Sequence, residues 1–197
     1  NGTISQERQK RYNISSFPAI RLFKDNGYTP KDYDGGNTSQ AIIDWFVTEM
    51  ENNSTHLHIK DIEQAQELVK NKTHVAFYFG SHNSSGYLNF LSGLIALNDP
   101  KITMASSQVP EVAQNFTVSN DTFVFFRHFD EERNVLPFPF NHSLVKDFAK
   151  KRMHPAVMPW DKKAVARFSN EEMDGLFLFR SNSSTEELKI EKMIRTL

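Results

Sequence analysis

The side chains that most often carry covalent or metal chemistry are sparse in this sequence. None of the 197 residues is cysteine, which excludes thiol exchange, disulfide frameworks and thiolate metal sites within them. His82 stands among serines in Gly80-Ser81-His82-Asn83-Ser84-Ser85. That grouping invites comparison with a hydrolase, but no Gly-x-Ser-x-Gly elbow accompanies it, and an inert loop is expected. His56 and His58, two positions apart, share one face of a short strand. No third ligand lies near them in the sequence, so both are expected to face solvent and no metal site is expected. Asp130-Glu131-Glu132 fits a solvated turn rather than a pair of catalytic carboxylates. Phe138-Pro139-Phe140 and Trp160 are candidates for exposed apolar surface, with core or linker packing the favoured expectation.

Asn-x-Ser/Thr sequons begin at Asn1, Asn13, Asn37, Asn52, Asn53, Asn71, Asn83, Asn115, Asn120, Asn141 and Asn182. Such acceptors belong on the surface of a secretory-pathway protein. Several fall near predicted helices or strands, where a glycan would not fit. Asn37, Asn53, Asn83 and Asn182 are the chosen glycosylation candidates.

Composition narrows the class. The chain is 39% hydrophobic with 17 Phe, so a packed core is expected, and its net charge of −1 mixes both signs. Neither a nucleic-acid patch nor a polybasic membrane face is present. No apolar run approaches the ~20 residues a spanning helix needs. No cofactor is expected.

The elements follow from periodicity. Residues 19–23 alternate as a strand, Lys24-Asp25-Asn26-Gly27 suits a tight hairpin turn, and residues 31–33 return. Asn37 or Thr38 caps a helix whose Ile42, Ile43, Phe46, Val47 and Met50 share one face. Residues 51–54 form a polar linker. Strand 56–59, helix 61–69, buried strand 73–79, loop 80–86, helix 87–96 and strand 101–106 follow. A short helix with Pro110 in its first turn, strand 121–127, a turn at 130–133, a strand over 134–137 and helix 143–152 complete that run. Beyond it, helix 162–168, strand 175–179 and a helix from Thr185 are predicted.

Pieces of this order recur. Ala19-Ile20-Arg21-Leu22-Phe23-Lys24 resembles Thr122-Phe123-Val124-Phe125-Phe126-Arg127 at an offset of 103. Asp44-Trp45-Phe46-Val47 resembles Lys146-Asp147-Phe148-Ala149 at 102, and the run from His74 resembles that from Asp174 at 100. A period near 100 is too long for a solenoid and suits a duplicated small domain.

Phe17-Pro18 before the first strand, Tyr33-Asp34-Gly35 after the second and Phe46-Val47 in the helix resemble the C-terminal half of a thioredoxin domain of the protein disulfide isomerase family. Phe129-Asp130-Glu131-Glu132-Arg133-Asn134 resembles a turn of that family's thiol-free second domain. The resemblance implies an α/β fold of tandem thioredoxin-like domains, each a mixed central sheet flanked by helices. It implies residues 1–52 as the end of a catalytic-type domain, 53–154 as a complete inert domain and 155–197 as the start of another, so the chain is expected to be an excerpt. It also implies a cis-proline at Pro18, with Phe17, Pro18 and Ala19 as a wall that binds extended substrate. No catalytic residue lies in the chain: the thiol position of the second domain is Gly80-Ser81-His82-Asn83-Ser84-Ser85, and serine is not ionised enough near pH 7 to substitute. The offset of 103 puts Asp121 opposite Pro18.

By resemblance, then, the parent is a disulfide isomerase and chaperone of the endoplasmic reticulum lumen. It would act on unfolded or disulfide-containing clients through Cys-x-x-Cys sites outside these residues, with no nucleic-acid partner and no membrane span. The alternative is a non-catalytic thioredoxin-fold chaperone or scaffold. A calsequestrin-like calcium buffer, which also stacks such domains, is disfavoured by the near-zero net charge.

Overall fold

In the computed structural model the described residues are 6–23, 30–52, 56–171, 177 and 179. They divide into two units, Asn1–Ser54 and Thr55–Leu197. The predicted hairpin turn at Lys24-Asp25-Asn26-Gly27, the helix from Thr185 and most of strand 175–179 lie outside the described residues.

The first unit holds helix α1 (Gln6–Arg11), strands β1 (Arg21–Leu22) and β2 (Lys31–Asp32) and helix α2 (Ser39–Glu51). β1 and β2 pair antiparallel, Arg21 opposite Asp32 and Leu22 opposite Lys31. The strand is shorter than the alternation at 19–23 suggests, because its partner is only two residues long. Arg21 forms an ion pair with Asp32 across the ladder, and Lys31 reaches the buried Glu49 of α2 at 2.5 Å. Thr38 is the N-cap of α2, its side chain accepting the Ala41 N–H. Met50 is buried and Ile42, Ile43, Phe46 and Val47 are half-buried, so the periodic face is the inner one.

The second unit contains β3 (Leu57–His58), α3 (Ile62–Asn71), β4 (His74–Phe79), α4 (Ser85–Leu97), β5 (Thr103–Ser107), α5 (Pro110–Asn115), β6 (Thr122–Arg127), β7 (Arg133–Pro137), α6 (His142–Arg152) and α7 (Lys162–Glu171). Its sheet has the order β3-β5-β4-β6-β7. β3, β5 and β4 run parallel, while β6 and β7 are antiparallel to their neighbours. Central β4, HVAFYF, is buried at every position, as a strand covered on both faces must be. Val75 pairs with Phe126 and Tyr78 with Phe123.

Alternation along β4 and β6 sorts the core into two layers. Val75, Phe77, Phe79, Val124 and Phe126 meet Ala65 and Leu68 of α3 and Val112 and Ala113 of α5. Phe77 and Phe79 stack at 4.2 Å. On the other face Tyr78 packs on Tyr87 and Phe90 of α4. Phe123 lies between Phe90 of α4 and Phe148 of α6, at 5.3 Å from each. α4 and α6 pack closely because Gly93 has no side chain: a Cβ there would stand 2.6 Å from the His142 carbonyl.

Candidate functional site

In the second unit the chemistry-bearing side chains gather where the parallel strands end. β4 finishes at Phe79, and Gly80 turns the chain with φ +151°, a backbone state that favours glycine. A Cβ on Gly80 would meet the Asp121 backbone nitrogen at 2.8 Å. Ser84 then caps α4, its side chain accepting the Tyr87 N–H at 3.1 Å.

A directional hydrogen-bond chain fills this end of the sheet. Tyr78 donates its hydroxyl proton to the Asp121 carboxylate. A phenol has one proton, so in the 2.6 Å contact between Tyr78 and Ser84 the serine hydroxyl is the donor. Burial, and after it the hydrogen bond to Asp121, push the Tyr78 phenol above its usual value. Asp121 itself adopts φ +54°, a conformation in which Asp is favoured over most residues. The residue that the offset of 103 sets opposite Pro18 is thus a left-handed aspartate latched to the central strand. No thiol enters the arrangement, and its acid and hydroxyls are consumed by one another.

A second cluster lies beside it. His82 of the loop after β4 places Nε2 2.8 Å from Ser106 Oγ, and His58 Nδ1 lies 3.5 Å from the same oxygen. Ring centroids are 4.9 Å apart for His58 and His82 and 4.7 Å for His56 and His58. His56 Nδ1 is 3.2 Å from the Tyr87 hydroxyl, and His82 stacks on Tyr87 at 4.3 Å. Burial, and then the neighbouring His58 and His82, lower the His56 pKa to about 3. The shared strand face of His56 and His58 is as expected, but only His58 is exposed; His56 is half-buried. The sequence singles out His82 but does not show that it joins this pair, because its approach depends on the loop after β4 reaching across β5.

The other predicted residues stand apart. Phe17, Pro18 and Ala19 are exposed in the first unit, Phe17 at 53%, and the Phe17–Pro18 bond is cis. A second cis bond, Phe138–Pro139, had no sequence expectation. Phe140 is buried, whereas Phe138 and Trp160 are exposed, a correction to the packing expected of them. Trp160 does make an edge contact with Phe177 at 4.8 Å. Asn37 and Asn83 are exposed, as are Asn13, Asn52, Asn71, Asn115, Asn120 and Asn141. All eight described sequons thus begin at the surface, where some had been expected to clash with the core. Asn53 and Asn182 lie outside the described residues.

A sequence profile of the thioredoxin-like domain matches residues 79–197, more than half the chain. Protein disulfide-isomerase of Oryctolagus cuniculus is 26% identical over 190 residues, covering 94% of this chain and 36% of that protein. This chain belongs to the thioredoxin-like family, on its protein disulfide-isomerase branch. Endoplasmic reticulum resident protein 44 of Bos taurus is 21% identical over 181 residues, covering 92% of this chain and 44% of that protein. Among solved structures, the bb fragment of ERp72 has a TM-score of 0.47 and 19% identity over 59% of this chain and 55% of that one. The thioredoxin-like chain thus spans less than half the length of the curated relatives it matches. It contains no cysteine.

Proposed function

We propose that this chain is a client-holding, redox-inert stretch of a protein disulfide isomerase and chaperone of the endoplasmic reticulum lumen. In this proposal its parts are residues 1–52 from a catalytic-type domain, 53–154 as a complete inert domain and 155–197 as the start of a further inert one. Cys-x-x-Cys sites beyond these residues would carry oxidation and isomerisation, each exchange passing through a mixed disulfide with the client. The observation that carries the inert role is the Tyr78–Ser84–Asp121 latch at the place where a catalytic domain keeps its thiols. Phe17, Pro18 and Ala19 form the exposed wall that receives extended polypeptide, offering backbone groups in the manner of strand addition. A lumenal address agrees with exposed sequons such as Asn37 and Asn83, which are proposed to carry N-glycans with Asn53 and Asn182.

The absence of cysteine also favours a second reading, a thioredoxin-fold chaperone or scaffold with no thiol site anywhere. Cys-x-x-Cys in the residues preceding Asn1 of the full protein would separate the two. The client role is tested by fluorescence anisotropy with a labelled, carboxymethylated unfolded peptide. Saturable binding is expected, weakened about threefold or more by Phe17→Ser, which removes an apolar ring worth roughly 1–3 kcal/mol when covered. No binding, or equal binding by wild type and variant, would overturn the role assigned to this wall.

A further inference from the structure

The histidine cluster has chemistry that the client-holding role does not use. We propose that His56, His58 and His82 form a binding site for a divalent transition-metal ion of the zinc, copper and nickel class.

Three imidazoles from two segments well separated in the chain meet in one row, with successive ring centroids 4.7 and 4.9 Å apart. His58 Nδ1 and His82 Nε2 both face Ser106 Oγ, at 3.5 and 2.8 Å. Two ligand nitrogens aimed at one small polar atom need only a modest rotation to share a cation in its place. Imidazole donors select zinc, copper and nickel over magnesium or calcium. A three-histidine set leaves a position for water, and His58 is exposed, so water can reach it.

The surroundings supply the outer shell that such sites use. Gln108 holds His82 from the other side, its Oε1 accepting the His82 backbone N–H and its Nε2 lying 3.2 Å from Nδ1. Coordination through Nε2 puts the ring proton on Nδ1, and the Gln108 amide, turned end for end, accepts it. The backbone N–H this releases lies in an exposed stretch and can bond to water. Tyr87 supports the row by stacking on His82 and contacting His56 Nδ1. The place also suits a ligand, since the carboxyl ends of parallel strands are where open α/β sheets bind them.

Isothermal titration calorimetry with ZnCl2, in a buffer that does not chelate, tests the site on the intact chain. One equivalent should bind with a Kd in the micromolar range or tighter, and His58→Gln and His82→Gln should each weaken it at least tenfold. His142→Gln, at the exposed start of α6, should leave it unchanged. Long-range 1H–15N spectra of the wild-type imidazoles give a readout independent of any variant's folding. Zinc should perturb the rings of His56, His58 and His82, and leave those of His74, His128, His142 and His154 in place. Absence of binding heat, affinity unchanged in both variants, or perturbation centred on other histidines would overturn the assignment.

Discussion

Tyr78 shows how a single side chain ties the central strand to its neighbours in the second unit. Its ring belongs to the core, while its hydroxyl links the cap of α4 to the start of β6 through Ser84 and Asp121. Tyr78→Phe leaves the ring and removes the link, so Asp121 and Ser84 each lose a partner. A loss of about 1–3 kcal/mol is expected from a urea titration, and a variant as stable as wild type would show that the latch contributes nothing. His74 supplies a pH response at the same scale. It is buried at the start of β4, and its Nε2–H donates to the Met153 carbonyl at 3.1 Å. Burial holds its pKa below the ordinary value; the Met153 carbonyl and Asp99 oppose that shift, while Lys101 and His128 add to it. The unfolded chain therefore takes up a proton near pH 6.5 that the folded chain resists. Stability from this group is complete above that pH and is lost as the pH falls below it. The melting temperature should drop from pH 7.5 to pH 5, and less steeply in His74→Phe; a parallel fall in both proteins would remove His74 as a cause.

At the scale of elements, α4 against α6 is the most demanding contact. Besides the His142 carbonyl, Val145 Cβ would lie 2.8 Å from a Cβ at position 93. Alanine is intrinsically the better helix former by about 1 kcal/mol, yet overpacking costs about 1–3 kcal/mol. Gly93→Ala is accordingly expected to lower the urea midpoint, and a raised midpoint would mean that α6 moves aside freely. Much of this layer was legible in the sequence. The continuous run HVAFYF marked a central strand, the helices expected over 61–69 and 143–152 begin within one residue of α3 and α6, and the offset of 103 aligned β1 with β6. Less was legible where partners decide. β1 and β3 shrink to two residues each because their ladders are short. The His58–His82 meeting and the Tyr78–Asp121 bond join residues 24 and 43 positions apart, and periodicity carries no information about such pairs.

For the molecule as a whole, the sheet order β3-β5-β4-β6-β7, the profile over residues 79–197 and the relatives agree on a thioredoxin-like architecture from which the thiols are missing. The proposed client-holding role needs no thiol, because an exposed apolar side chain such as Phe17 requires no redox partner to be covered by polypeptide. The proposed role therefore predicts holding without reducing. Insulin turbidity in dithiothreitol measures both properties at once, since a reductase hastens precipitation of the freed B chain and a holding protein delays it. Added in equimolar amount, the chain is expected to delay the onset of turbidity relative to dithiothreitol alone. An earlier onset, or one unchanged by the chain, would contradict a thiol-free client-holding role.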